Sequence, residues 1–489
     1  MIMKNNHRFM ALTALLAVGM TALLGSCGSE TDTVTDSNAV TDDLTAAVTE
    51  TAAETEQDRL AELGERDFGG MVYTVLDSNP NAAMHINFPG ETQTGDLLND
   101  TLWTRDAVLE ERYNVQIDYV QETSRGASIL RSSVLAGDAD FNLVFATGGE
   151  LKNHATAGLL ANMLDMDHLS LDRKWWSSLM YDNLRLKDTM YFTTGDINPT
   201  MYQIAACMFV NTKLVDDYDI SCDFVKEVRG GTWTWDLVGE LSRGINQDLN
   251  QDGKWAYLDD MFGCIGCFST YLMPACNVEY CTITEDGNNL SLTAVNEQTV
   301  AIVDKLRTVF EPTNPRSVGS DFADSAFKED RALFLTVITE CAVIHLRDME
   351  SDYLILPVAK YDEAQEGYRT GVNIWATAFV GVPKTAANEA TGFITEALAA
   401  WSHTNMRPIA FDLTYKAKTV RDERSIEMLD IVFDNMCLSF ADVYDFGGLS
   451  SVFWDVLAEG GELVSQIEKI TPRAEEAMKE LVNMWGSTN

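Results

Sequence analysis

Between Met71 and Glu150 the chain switches repeatedly between two hydrophobic periods, and this constrains its fold more than any other feature. Met71–Leu76 (MVYTVL) is apolar and β-branched and stops at DSNPN, a cluster of turn formers. In the stretch NDTLWTRDAVLEERYNVQIDYV that follows, Leu102, Trp103, Ala107 and Leu109 recur at helical spacing with the Asn99-Asp100 pair as cap. Val115 to Val120 then alternates as a strand, and a helix is predicted near Ser128–Ala136. Phe141–Phe145 is a buried strand ending in a Gly-rich loop. Helices alternating with apolar strands predict an α/β body with a largely parallel sheet. Ligands of such sheets sit outside the carboxyl ends of the strands, which singles out the loops Asp77–Asn81 and Thr147–Glu150.

The N-terminal part predicts export. Lys4 and Arg8 precede an apolar run from Phe9 to Leu24, about 16 residues and short of the roughly 20 that a membrane-spanning helix needs. Leu24-Gly25-Ser26-Cys27 resembles the bacterial lipobox, in which the cysteine is acylated and becomes the new N-terminus. Residues 1–26 are then a lipoprotein signal peptide, and Cys27 is the lipidation site that holds the protein on a membrane without a span. Residues 28–66 hold eleven acids against Arg59 and Arg66, and no aromatic residue. Such a tract buries too little to offset chain entropy, so 27–66 reads as a lipidated cysteine followed by a disordered acidic tether. Its far end, about Thr55 to Leu63, carries a short helical pattern.

The body from Asp67 is too long for one core and predicts two domains. The net charge is −40 overall and −33 on the body, a field that repels nucleic acid and anionic lipid. Eight cysteines remain beyond Cys27. The close pairs in CIGC and CNVEYC leave three readings open: a zinc site, a local disulfide, or buried free thiols.

Further along, Met190–Thr193 and Ile204–Asn211 read as strands flanking a loop with Asp196 and Tyr202. GTWTWDLVGELSRGI is a helix entered through Thr234 or Asp236, and helices dominate from Asn388 to Trp485. Several blocks here resemble the bacterial family 1 extracellular solute-binding proteins, the maltose-binding-like receptors of ABC importers. They are MFVNTKLVDDYDI, GTWTWDLVGELSR, DLNQDGKW, FKEDRALFLTVITE and DYLILPVAKYDEAQEGYRT. Asp330 stands where the family has Gly, and Val358-Ala359 departs from its proline-containing pattern. The resemblance implies a two-lobed periplasmic-binding-protein-like fold of type II, with a multi-strand hinge and a ligand cleft between the lobes. By that analogy the first lobe is 67–208 plus about 370–403, and the second is 209–368 plus about 404–489. It also implies a monomeric, extracytoplasmic receptor with a sugar ligand and ABC permease subunits as partners, and no nucleic acid.

A sugar cleft needs rigid aromatic rings and a few aimed polar groups. The candidates are Asn79, Glu150, Asp196, Tyr202, Trp233, Glu340, Asn373 and Trp375. Trp235, Trp103, Trp401 and Trp454 are assigned to packing. In DLNQDGKWAYLD, Asp248, Asn250, Asp252, Lys254 and Asp259 stand at EF-hand spacing around Gly253, with Asp in place of the usual closing Glu, which leaves two readings open: a structural calcium or an Asx-rich surface turn; no other cofactor is called for. The competing classes are a surface glycosidase, whose two carboxylates would hide among 75 acids, and a receptor for a peptide or other non-sugar solute. No G-x-S-x-G, H-E-x-x-H or G-x-x-x-x-G-K occurs, and the six histidines show no metal spacing. A non-enzyme is therefore expected.

Overall fold

The computed structural model describes residues 60–78, 88–122, 124–176, 178–310, 320–374, 377–416, 424–438 and 440–486. The expected alternation is present at the start of the body. Strands β1 (Met71–Asp77), β2 (Val115–Gln121) and β3 (Leu143–Ala146) are parallel, with Val75 beside both Ile117's neighbour Tyr119 and Leu143. Helix α1 (Leu97–Tyr113) joins the first two, α2 (Gly126–Ala136) the next pair, and α3 (Gly148–Thr156) follows β3. Asp96, not the Asn99-Asp100 pair, caps α1 by accepting from the Asn99 amide. Asn99 and Asp100 instead reach back to the Gly90 and Thr94 amides, at 2.7 and 2.8 Å, and tie the preceding loop to the helix.

Two further strands complete this sheet from far along the chain. Strand β12 (Phe379–Gly381) lies antiparallel between β3 and β4 (Phe192–Thr193), giving the order β2-β1-β3-β12-β4. The second sheet has the order β10-β5-β9-β6, from β5 (Ala206–Asn211), β6 (Phe262–Ile265), β9 (Ala332–Ile338) and β10 (Tyr353–Leu356). Here only β6 and β9 are parallel; β5 runs against both β9 and β10. The expectation of a largely parallel sheet therefore holds for β1 to β3 and fails beyond them. Returning strands fill the remaining places.

The chain leaves the first sheet after Thr193 and enters the second at Ala206, so a boundary at Met208/Phe209 would cut through β5. It comes back over 357–374, where strand β11 (Thr370–Gly371) pairs with β13 (Met436–Cys437) and Val372 bridges Ala205. A small hairpin, β7 (Cys281–Ile283) with β8 (Leu290–Leu292), completes the strands.

Two departures concern the ends. Residues 60–63 are helical, and Leu60 and Leu63 are buried in the main core, so the body begins earlier than Asp67. The closing helices are not confined to one lobe. Helix α7 (Glu389–Lys416) packs on the first sheet through Tyr73 and Thr395, whose hydroxyls are 2.6 Å apart. After α8 (Phe440–Tyr444) and α9 (Leu449–Glu459), the last helix α10 (Leu463–Gly486) sets Trp485 edge-on to Tyr191, beside β4. Among the described residues no helix is long and apolar enough to cross a membrane.

Candidate functional site

The segment from Thr194 to Ala205 crosses from one sheet to the other, and its backbone shapes the site. Gly195 presses on Trp175: a Cβ there would lie 2.2 Å from the Trp175 carbonyl oxygen, so only glycine fits. The next amide, of Asp196, donates to that same carbonyl at 2.8 Å. The Asp196 carboxylate accepts from the Tyr202 hydroxyl on one oxygen and meets the His403 ring nitrogen Nδ1 on the other. Asp196 and Tyr202 are buried, and His403 comes from α7 with its ring 6.4 Å from that of Trp175. A buried carboxylate with two such partners is fixed in direction.

The same segment is tied to the end of β9 and to the returning chain. The Thr339 hydroxyl donates to the Tyr202 carbonyl at 2.6 Å, and the Glu340 amide to Gln203 at 2.8 Å. The Asn373 amide donates to the Ile204 carbonyl at 3.1 Å. Asp196, Tyr202, Glu340 and Asn373 are thus brought onto one hydrogen-bonded knot between the sheets. Glu340 and Asn373 are half-buried.

Glu150 lies in the first turn of α3, at the carboxyl ends of β1 and β3, as the loop argument expects. Its Oε1 accepts from the Ser78 hydroxyl at 2.6 Å and lies 3.4 Å from His154 Nε2. Thr147 caps the helix and so holds Glu150 in place. Trp233 is a correction. It is fully buried, packs between Phe224 and Phe334, and its indole nitrogen donates to the Pro357 carbonyl at 2.9 Å. With no surface and its one donor used, it supports the second lobe and offers nothing to a ligand. Asn79, Trp375 and Cys27 lie outside the described residues.

Sequence reasoning missed Ser78, His154, Trp175 and His403. It also assigned Trp454 to the core, whereas that ring is half-buried beside half-buried Phe268, with centroids 5.6 Å apart. Phe268 follows β6 as Glu340 follows the parallel β9, in the register that sets Ile265 beside Leu335. The aromatic pair therefore stands at the same end of the second sheet as Glu340. The run F-W-D-V-L around Trp454 suits a helix face, and only its place in the fold separates it from a core tryptophan.

The turn around Asp248 is closed by its own amides. Asp248 accepts from Gln251 and Gly253 at 2.7 and 2.9 Å, and Asp252 from Lys254 at 2.8 Å. Asn250 takes the Asp252 amide, at 2.9 Å. The closing carboxylate is Asp260, fully buried on the Leu249 and Ala256 amides, while Asp259 is exposed. Among the described residues no group of three or more His, Cys, Asp or Glu side chains is placed to hold a metal ion. The eight cysteines of the body are free. Burial pushes their thiols up, with half-buried Cys222 raised to about 11, so thiolate chemistry is suppressed at neutral pH.

No protein-family model matches this chain, and no curated protein matches it in sequence. In three dimensions it is similar to the ABC substrate-binding protein Lmo0181 from Listeria monocytogenes in complex with cycloalternan, at 13% identity over 84% of this chain and 99% of that one, with a TM-score of 0.52. UspC of M. tuberculosis matches at 11% identity over 83% and 100%, with a TM-score of 0.54. A cyclo/maltodextrin-binding protein complexed with maltotetraose matches at 13% identity over 85% and 98%, with a TM-score of 0.52. At identities this low the likeness shows the fold alone: this chain has the two-lobed α/β architecture of these structures.

Proposed function

We propose that this protein captures a carbohydrate, an oligosaccharide in particular, between its two lobes and delivers it to the permease subunits of an ABC importer. The observation that carries this reading is the knot at the crossing segments. Hydrogen bonds there join the two sheets and gather Asp196, Tyr202, Glu340 and Asn373 where lobe closure would bring a ligand. The half-buried Glu340 carboxylate and Asn373 amide suit sugar hydroxyls, buried Asp196 and Tyr202 hold the crossing segment through their mutual bond, and the Phe268–Trp454 pair supplies an apolar face for a ring. Two of the similar structures hold cycloalternan and maltotetraose, which supports the same ligand class. In this reading Cys27 carries the lipid that keeps the protein on the outer face of the cell membrane, and the chain is a receptor and not an enzyme.

Calorimetric titration with mono- and oligosaccharides tests the proposal. One saturable site for a sugar is expected, weakened at least roughly tenfold, about 1.4 kcal/mol, by Glu340→Gln. Binding to no sugar, or steady release of new reducing ends from a bound glycan, would sink it. Cys27→Ser should move the protein from the membrane fraction to the soluble one.

A further inference from the structure

The second lobe holds a cavity that shares no lining residue with the knot at the crossing segments. After β5 the chain forms, among others, helices α4 (Trp235–Ser242), α5 (Ser269–Ala275) and α6 (Glu297–Phe310). The cavity, of about 300 Å3, lies where the first turn of α6 meets the β7–β8 hairpin and the turn that follows α5. That volume stands at the small end for a ligand site and is about ten times one water's share of the liquid.

Hydroxyls and carboxamides dominate the lining. Thr299, in the first turn of α6, is 2% exposed, yet its hydroxyl makes no hydrogen bond within the fold and is not sealed from solvent. A nearly buried polar group left in that state favours a polar occupant in the space beside it. Thr282, half-buried on β7, has a hydroxyl that is likewise open and unbonded. Asn296 spends its oxygen on the Thr299 amide at 2.8 Å, and Asn277 spends its oxygen on Arg369. Both residues are exposed and keep their NH2 groups as donors. Val278 and Ile302 add apolar surface to the lining.

Charge decides the class of occupant. The one carboxylate among the described lining residues, Glu279, is ion-paired with Arg369 at 3.0 Å, and Arg369 is engaged with Asn277 as well. A cation therefore meets no unpaired carboxylate here, and the −33 on the body works against an anion. Groups that donate and accept beside two aliphatic side chains match a neutral molecule with several hydroxyls. We propose that this cavity is a second binding site, for one neutral sugar ring or a polyol of that size, independent of the inter-lobe site. The lining holds no aromatic ring for stacking, so the expected Kd is weak, on the order of 10 mM.

The test is titration of the deuterated full chain with D-glucose and, separately, myo-inositol, followed by amide NMR shifts, with sodium gluconate as the charged control. The signals of Thr282, Gln298 and Thr299 should move together and saturate with at least one neutral probe, and gluconate should bind at least roughly threefold more weakly. Thr299→Val keeps the shape and removes the hydroxyl, and it should weaken binding at these signals at least roughly threefold. Glu340→Gln, which weakens the inter-lobe site, should leave the affinity at these signals within roughly twofold. Absence of saturable shifts with both neutral probes, equal or tighter binding of gluconate, or unchanged affinity in Thr299→Val overturns the proposal. A parallel loss in Glu340→Gln would show that the shifts report the inter-lobe site and overturns it too. Without ligand, Thr299→Val should leave the melting temperature unchanged or raise it; a clear fall would show that the hydroxyl is already bonded within the fold, against the proposal.

Discussion

In the first lobe, helix α7 lays a row of polar side chains against the sheet, whereas β5 and β9 of the second lobe are buried almost wholly through apolar ones. Thr391, Thr395, Glu396 and Ser402 are all fully buried on α7. Asn142 donates to Thr391 at 3.1 Å, Trp176 to Glu396 at 2.8 Å, and Arg105 to Ser402 at 3.3 Å. In the second lobe, Phe209, Leu333, Phe334 and Leu335 are fully buried, and the Trp233 and Phe334 rings stand 5.7 Å apart. Apolar burial has no direction, but hydrogen bonds do. The polar seam therefore fixes where α7 sits along the first lobe, and α7 carries His403 to the crossing segment. Apolar packing runs through both lobes and supplies stability; the polar seam on α7 adds alignment of the crossing segment.

The largest expected effect breaks the apolar core. Trp233→Ala should cost about 3–5 kcal/mol in urea unfolding, from the cavity and the orphaned Pro357 carbonyl together. Trp233→Phe should cost about 1–3 kcal/mol and leave sugar affinity within roughly twofold. A tenfold loss of affinity with little loss of stability would place that indole in the cleft instead of the core.

Next comes the seam. Arg105 and Asp106 form a buried ion pair at 2.9 Å, and the Tyr119 hydroxyl lies between them, accepting from Arg105 and donating to Asp106. Arg105→Met alone strands the Asp106 carboxylate and should cost about 3–5 kcal/mol. Arg105→Met with Asp106→Leu removes both charges, and it should recover most of that loss. The two lobes then differ in kind: second-site substitution rescues the polar core and not the apolar one. Failure of the double variant to recover would mean that the pair contributes net stability, and the two lobes would then not differ in kind.

Much of this contrast could not be seen along the chain. The order β1-α1-β2-α2-β3 was legible because local period and turn residues set it, and Ser78 and Glu150 meet where that order implies. Strand β12 enters the same sheet more than two hundred residues later, and no local pattern announces its neighbours. The Asp196–His403 contact spans 207 residues and rests on a histidine that reads as one of six scattered ones. The buried row on α7 is hidden for another reason: Thr391, Thr395 and Glu396 look like a solvated face until their partners on other elements are placed. Leu60 and Leu63 are masked by the acids around them, because average composition hides two apolar anchors.

The smallest expected effect concerns the Asp248 turn, where the sequence pattern and the geometry part. An EF-hand loop gathers its carboxylates on a cation, and a calcium site with a Kd of roughly 10 μM would add about 2.7 kcal/mol at 1 mM calcium. Here both Asp248 oxygens take backbone amides, and the residue that closes the turn is Asp260, one position beyond the one that the calcium spacing requires. Gln251 and Gly253 adopt left-handed backbone angles that let the turn close on these bonds. The melting temperature should therefore be the same within about 1 °C in calcium and in chelator. Asp260→Ala should destabilise more than Asp248→Ala, because its carboxylate is buried and holds both ends of the turn. A rise of several degrees with calcium that Asp248→Ala abolishes would restore the metal reading. It would also make this turn a third kind of support in the second lobe, ionic where the sheet beside it is apolar.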